Sequence, residues 1–205
     1  MNNPTIGSFS INVAAAVASG DIQTLIQMVQ SDRVKLMDAQ LVDQVKAVQA
    51  RNDQIAKLND VLAKLNGYNT QIDGKDAGDK PKDWSSAKIK QYELPVNDAI
   101  QAAGIKDLGF ESRTGQRTPG PGEKKDGGEG VLLSGSGVVT GSTTKGEIET
   151  AITKIKGMID AESNNQQMDM LRLQSLNNKK NESVEILTTT QKKQSDSLSG
   201  IIRNF

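Results

Sequence analysis

The amino-acid sequence predicts a mainly α-helical protein. We expect two long helices, one near each end of the chain, to pack as an antiparallel coiled-coil hairpin with a Gly-rich α+β insertion between them. Apolar residues recur every seven positions in both regions, and no proline interrupts either repeat. Hydrophobic residues make up only 35% of the 205 residues and aromatic residues 3%, with a net charge of zero. This composition favours a thin helical molecule over one with a thick globular core.

The C-terminal helix is predicted over residues 144–205. It opens on Thr144 and Glu147, which have the spacing of a capping box. Its expected length is about 90 Å at about 1.5 Å per residue, so it needs a partner along that length. Gln166, Lys180 and Gln194 fall at seam positions, where they would fix the register of the helices or line a wet interface between subunits. The apolar seam is predicted from Ile152, Ile159, Leu173 and Leu187.

The N-terminal helix is predicted over residues 21–66. Asp21 suits the start of the helix, and Gly67 is a natural stop after it. Because its apolar series has the same seven-residue period, we expect it to face the C-terminal helix. The seam residues of this helix are Val34, Leu41, Val48, Ile55 and Leu62.

Two further segments complete the chain. Residues 1–20 are expected to form a flexible N-terminal arm, interpreted either as a frayed terminus or as an export address or assembly arm. Residues 67–143 form an insertion, within which the Gly-rich tract 115–130 is expected to be mobile and exposed because it is poor in apolar residues. Short helices are expected at 85–91 and 95–103, and short strands at 108–111, 131–133 and 138–140.

The composition argues against several functional classes. The chain contains no His and no Cys, so it lacks the commonest general base, the thiolate nucleophile and the commonest metal ligands. The glycines between Gly135 and Gly141 do not match a dinucleotide fingerprint, and the segment Asp73–Gly78 does not match a calcium loop. We therefore expect no enzyme, catalytic residue, cofactor or metal. We also expect no membrane span and no nucleic-acid partner, because there is no long apolar run and no excess of positive charge.

The end of the C-terminal helix is expected to be an interaction surface. This helix exceeds the N-terminal helix by about fifteen residues, or roughly 20 Å, so its last turns lack an intramolecular partner. Grouped apolar residues without cover usually mark a binding surface. The predicted subunit interface is formed by Leu198, Ile201, Ile202 and Phe205.

Three stretches resemble a known family. Residues 21–33, 84–108 and 170–182 are similar to type III secretion needle-tip filament proteins of the Bordetella type, and the two-helix layout is more distantly similar to EspA-like filament proteins. The resemblance implies a structural subunit, secreted to the bacterial cell surface, that polymerises into a hollow helical filament with its insertion facing outward. It also implies a role as a conduit for effectors. The implied partners are further copies of the chain, the needle subunit, translocator pore proteins and a secretion chaperone before export.

Two alternative functions remain open from the sequence. One is a needle-tip cap that does not polymerise, and the other is a cytosolic coiled-coil adaptor or chaperone. Both would also use long amphipathic helices, so the seven-residue repeats alone do not separate them from a filament subunit. The state of assembly of the purified protein separates them.

Overall fold

The structure is a computed structural model that describes residues 22–123, 130–135 and 137–203; these residues are 71% helical. Of Leu198 and Ile201 only the backbone is described, and the predicted arm 1–20 and Asp21 lie outside the described residues. The helices are α1 (Ile22–Asn69), α2 (Ser86–Lys88), α3 (Leu94–Ala102) and α4 (Lys145–Arg203), with a π-helical turn at Ile89–Glu93 and strands β1 (Arg113–Arg117) and β2 (Val131–Gly135). α1 packs against α4. The prediction of a mainly helical protein with two long helices is confirmed.

The chain divides into two compact units, to both of which α1 and α4 contribute. The central unit is Gln49–Gln167, and the terminal unit combines Met1–Val48 with Met168–Phe205. The central unit holds almost all of the buried apolar residues, whereas the terminal unit holds few, as described below.

The core of the central unit is built on one face of α1. Leu58, Val61, Leu65 and Tyr68 follow helical spacing, and each is at most 2% exposed. The insertion and the first turns of α4 supply the other walls, so α1 is covered from more than one side. Those walls comprise Val96, Ala99, Ile100, Leu108, Phe110, Val139, Ile148, Ala151, Ile152 and Ile155.

The end of α1 differs from the prediction. The helix does not stop at residue 66 but continues through Gly67 to Asn69. Tyr68 is fully buried, and its hydroxyl donates a hydrogen bond to the Thr140 carbonyl at 2.5 Å. Burial raises the pKa of the Tyr68 hydroxyl, which keeps it protonated as a donor. Tertiary packing of this last turn therefore outweighs the stop signal of Gly67.

The capping box predicted at the start of α4 is confirmed. The Thr144 backbone N–H donates to Glu147 Oε2 at 2.8 Å, and the Glu147 N–H donates to Thr144 Oγ1 at 3.4 Å. Two further N–H groups of the first turn, those of Lys145 and Gly146, donate to the carbonyls of Asp79 and Ala77, each at 2.8 Å. The Asp- and Gly-rich loop of the insertion thus satisfies helix donors that would otherwise lack partners.

The strands of the insertion differ in part from the prediction. Residues 108–111 and 138–140 are not strands; β1 lies at Arg113–Arg117 and pairs antiparallel with β2, with Arg113 opposite Gly135. Leu108 and Phe110 instead anchor an irregular segment in the core. The predicted helices at 85–91 and 95–103 form one helical run from 86 to 102 through the π-helical turn.

The expectation that residues 115–130 are exposed is wrong at both ends. Gly115 and Gly130 are buried, and a Cβ atom at Gly115 would lie 2.0 Å from Val138 Cγ1. The reason is that β1 extends into the tract. Thr118, just beyond β1, is also held, because its N–H donates to Asp98 Oδ1 at 2.8 Å. Residues 124–129 lie outside the described residues.

An ion pair ties β1 to the start of α4. Arg113 Nη1 lies 2.9 Å from Glu147 Oε1, and the Glu111 backbone N–H donates to the same oxygen at 2.9 Å. Burial acts to raise the pKa of Glu147, but the hydrogen bonds from Arg113, Glu111 and Thr144 outweigh it and lower that pKa to about 2. The carboxylate of Glu147 therefore stabilises the fold in its ionised form.

We expect the stability of the protein to fall in acid through Glu147. Its pKa is lowered from 4.5 to about 2, so its stabilising contribution is complete above about pH 4.5 and is lost as pH falls towards 2. Thermal melts between pH 5 and 2, roughly the span between the two pKa values, should show a flatter pH dependence for Glu147→Gln than for the wild type. Glu149→Gln, on the exposed face of the same turn, is the control. Wild-type and Glu147→Gln slopes that coincide would contradict this assignment.

Candidate assembly surface

The helices of the terminal unit bury few apolar side chains. Among its described residues, Met37 is the one buried apolar residue, while the polar residues Asp169 and Ser183 are also buried. No element of the insertion belongs to this unit, so it lacks the third layer that covers α1 in the central unit. Apolar burial is the main driving force for helix packing, and this unit obtains little of it from its own chain.

Polar contacts replace apolar packing in this unit. Gln27 Nε2 donates to Gln194 Oε1 at 2.8 Å, and Lys180 Nζ lies 2.6 Å from Asp38 Oδ1. Exposed ion pairs contribute only about 0–1 kcal/mol each. The side-chain atoms Gln30 Oε1 and Gln44 Nε2 are buried without a hydrogen-bond partner, which costs free energy. We conclude that these contacts align the helices more than they stabilise them.

The predicted seam residues are all at least partly buried. In the central unit, Ile152 belongs to the core, and Leu62 and Ile159 pack against it. The remaining six are half-buried, namely Val34, Leu41, Val48, Ile55, Leu173 and Leu187. The seam assignment stays a prediction for all nine residues, because the more deeply buried positions of α1 lie on the neighbouring line through Leu58 and Leu65.

Large apolar side chains are exposed on both helices of the terminal unit. On α1, Val42 and Val45 are exposed, and four further residues form a stripe, which we call the α1 stripe: Ile22, Val29 and Leu36 at seven-residue spacing, with Ile26 beside them. Their exposed fractions are 68%, 47%, 60% and 39%. The sequence alone does not reveal the α1 stripe, because its period matches that of the seam and only the offset from the seam distinguishes the two. On α4 the exposed residues are Met168, Met170, Leu171, Val184 and Ile202.

The predicted interface at the C-terminus is described only in part. Ile202 is 75% exposed, the most exposed of the large apolar residues in the described chain. The side chains of Leu198 and Ile201 and the whole of Phe205 lie outside the described residues. The interface therefore stays a prediction, with Ile202 as its described member.

Two concave regions lie in separate units. The terminal unit has an open groove of ≈ 550 Å³, lined by Leu176 and otherwise by polar or charged residues such as Asp43, Arg172 and Lys179. The central unit has a pocket of ≈ 360 Å³ whose lining is polar and apolar in nearly equal parts, which we call the central pocket. Its apolar lining comprises Leu58, Ala103, Ile105, Met158 and Ala161.

The central unit also contains a buried carboxyl group that is not part of the lining of the central pocket. Glu93 is 5% exposed and accepts a hydrogen bond from Trp84 Nε1 at 2.8 Å. Burial raises the pKa of Glu93, and hydrogen bonds from Trp84 and from the backbone of Gly141 and Gln116 act in the opposite direction. These donors come from three separate segments, so Glu93 holds the insertion together.

Among the described residues, no group of three acidic, His or Cys side chains is arranged to hold a metal ion. In the same part of the chain, no helix combines the length and the apolar character that crossing a membrane requires. Comparisons with protein-family models, with curated proteins and with solved structures find no match to this chain.

Proposed function

We propose that this protein is a structural subunit that self-assembles, through its two long helices, into a hollow helical filament at the tip of a type III secretion needle. The filament serves as a conduit for effectors and links the needle to the translocation pore. We infer self-assembly from the large apolar residues that are exposed on the terminal unit, including Ile22, Leu36, Leu171 and Ile202. Exposed apolar patches on one protein usually mark its contacts with another.

The shortage of intramolecular core supports the same proposal. Among the described residues of the terminal unit, Met37 is the single buried apolar residue, whereas the helices of this unit expose many others. Burying one aliphatic side chain is worth about 1.5–3 kcal/mol. Contacts between copies would therefore provide the stabilisation that the chain does not provide for this unit alone.

We propose that α1 and α4 pair as an antiparallel coiled-coil hairpin. The contacts that support this pairing run in opposite directions along the two helices. In the terminal unit, Gln27 contacts Gln194 and Asp38 contacts Lys180, so the α4 number falls as the α1 number rises. In the central unit, Arg51 Nη1 lies 2.5 Å from Glu162 Oε2.

The secretion setting rests on the resemblance of residues 21–33, 84–108 and 170–182 to needle-tip filament proteins. On that basis we propose that the chain is secreted to the bacterial cell surface. Its partners are further copies of itself, the needle subunit, the translocator pore proteins and a chaperone before export. A non-polymerising needle-tip cap, or a cytosolic adaptor, is the alternative that the following experiment separates.

Deleting Leu198–Phe205 is expected to abolish filament formation while leaving the protein helical and soluble. The deleted segment includes Ile202, which is exposed and so adds little to the fold of its own chain. Negative-stain electron microscopy of the full-length and truncated proteins is the measurement, with circular dichroism as the folding check. Tubes of the full-length protein support the filament proposal, whereas monomers or discrete caps would favour the alternatives. Normal filaments of the truncated protein would show that the C-terminal segment does not hold the polymer together.

A further inference from the structure

We propose that residues 5–18 fold back as a helix and cover the α1 stripe of their own chain in the free subunit, so that a neighbouring copy must displace them to reach it. This inference rests on the proposed function and adds to it the regulation of one assembly surface. The α1 stripe is exposed among the described residues, with Ile22 68% and Leu36 60% accessible. Residues 1–21, which lie outside the described residues, join α1 at the first residue of this stripe.

Apolar residues recur at helical spacing within residues 5–18. Successive steps of three, four and four residues place four of them on one face of a helix, with Ser8 and Asn12 on the opposite face. Ile11 is the one further large apolar residue of the segment and lies off this face. The α1 stripe has the same kind of spacing, so the two rows can interdigitate along a pair of helices. The row in the segment is formed by Ile6, Phe9, Val13 and Val17.

The two rows match in length, and the connection between them is short enough to fold back. At about 1.5 Å per residue, the α1 stripe extends about 21 Å from Ile22 to Leu36, and residues 5–18 extend about 20 Å as a helix. Residues 19–21 are Ser, Gly and Asp, and helical hairpins typically use loops of about two to five residues. Such a hairpin places the end of the segment beside Ile22 and its start near Leu36.

The composition of the segment suits a contact that forms readily and is also readily displaced. Residues 1–20 contain no charged side chain, so covering the α1 stripe with them buries no charge. The alanines at 14–16 favour a helix, whereas Gly7 disfavours one. A helix of this length is only marginally stable in water by itself. The segment therefore becomes helical against the α1 stripe, and a larger contact with another copy can replace it.

The other segments outside the described residues do not suit the α1 stripe. Residues 124–129 and residue 136 contain no apolar side chain, and residues 204–205 supply only Phe205. A row about 21 Å long needs apolar groups from several helical turns to cover it. Residues 5–18 meet this need, and their short connection to α1 gives them an effective concentration in the millimolar range. We therefore assign the contact to the same chain in the free subunit.

The chain contains no Cys, which allows a clean cross-linking test on the free subunit. The test variant is Val13→Cys with Val29→Cys. The control is Val13→Cys with Lys35→Cys, since the Lys35 side chain is 75% exposed and lies on another face of α1. Both full-length variants are oxidised at a concentration at which they are monomeric, and free thiols are counted by mass spectrometry after alkylation. A disulfide needs Cα atoms about 4.4–6.8 Å apart, so it forms only between surfaces in contact.

The test variant should lose both thiols and remain a monomer on a non-reducing gel, whereas the control should keep its thiols. Equal cross-linking of the two pairs would overturn the inference, as would a test variant that keeps both thiols. Cross-linked dimers in place of monomers would also overturn it, because they would mean that the segment covers the α1 stripe of another copy.

A second test measures polymerisation of the full chain. Phe9→Glu with Val13→Glu should uncover the α1 stripe, and Ser8→Glu with Asn12→Glu adds the same charge to the opposite face as a control. If the segment covers the α1 stripe in about nine of ten subunits, uncovering it should lower the concentration needed for polymerisation about tenfold. The control should polymerise like the wild type in sedimentation velocity. An unchanged or higher polymerisation concentration for the first variant would overturn the inference.

The two tests separate this inference from the proposed function. A wild type that never polymerises would overturn the proposed function. The cross-linking result would still decide whether residues 5–18 cover the α1 stripe, because it is obtained on monomers.

Discussion

Replacing Leu65 by aspartate is expected to unfold the central unit. Leu65 is fully buried in the core with Val61 and Tyr68. The substitution removes an aliphatic side chain and buries a charge without a partner, so we expect the free energy of unfolding to fall by about 4 kcal/mol or more. A domain's whole stability is only about 5–15 kcal/mol. A circular-dichroism melt, together with urea denaturation followed by Trp84 fluorescence, provides the measurement.

Leu36→Asp is the matched control for this prediction. It makes the same chemical change on the same helix, but Leu36 is 60% exposed, so its effect on the melt should stay within about 0.5 kcal/mol. For assembly we expect the reverse order of effects: Leu36→Asp should impair it directly, because Leu36 belongs to the α1 stripe. A Leu65→Asp protein that melts like the wild type would contradict the placement of this face in the core.

Replacing Asn97 by alanine is expected to cost roughly 3 kcal/mol, because it leaves buried backbone groups without partners. Asn97 is 2% exposed, and its Oδ1 accepts from the Val139 N–H at 2.9 Å. Its Nδ2 donates to the carbonyls of Val139 at 2.8 Å and Gln116 at 2.9 Å. The carboxamide thus acts as the strand partner that Val139 lacks and connects it to β1. Urea denaturation followed by Trp84 fluorescence measures the loss.

Asp98→Ala provides the control for Asn97→Ala. Asp98 is the next residue in α3 and also accepts hydrogen bonds, from Thr118, but it does so at the exposed surface. Water can replace those bonds, so the cost should be well below that of Asn97→Ala. Equal losses of stability for the two variants would show that the buried hydrogen bonds of Asn97 stabilise the fold no more than the exposed ones of Asp98.

The parts of the fold that depend on local sequence signals could be predicted from the sequence. The seven-residue apolar repeats identify both long helices, and Thr144 with Glu147 marks the start of α4. Each of these signals acts within one helix or one turn. Short-range interactions within a helix or a turn therefore determine where the two long helices lie along the chain.

The features that the sequence analysis missed depend on contacts between distant segments. The most buried line of α1 runs through Leu58 and Leu65 instead of Ile55 and Leu62, because α3 and the insertion add a third layer on that side. Residues 138–140 resemble a strand, yet the side chain of Asn97 takes the place of a strand partner. No local sequence pattern predicts either contact, because each depends on tertiary packing.

The candidate surface was predictable only at its C-terminal end. The repeat that continues to Phe205 led directly to Ile202. The α1 stripe, by contrast, has the same period as the seam, and its separate role becomes visible only from the exposure of Ile22, Val29 and Leu36. Exposure depends on which face each helix turns towards its partner, a tertiary property.

Sedimentation velocity of the purified full-length protein over a range of concentrations tests the central claim most directly. The claim is that the apolar residues left uncovered on α1 and α4 drive copies of the chain to assemble. It predicts a boundary that shifts to large polymers as the concentration rises, and a return to monomer for the Val29→Glu, Leu36→Glu variant. A single monomer boundary for the wild-type protein at every concentration would contradict it.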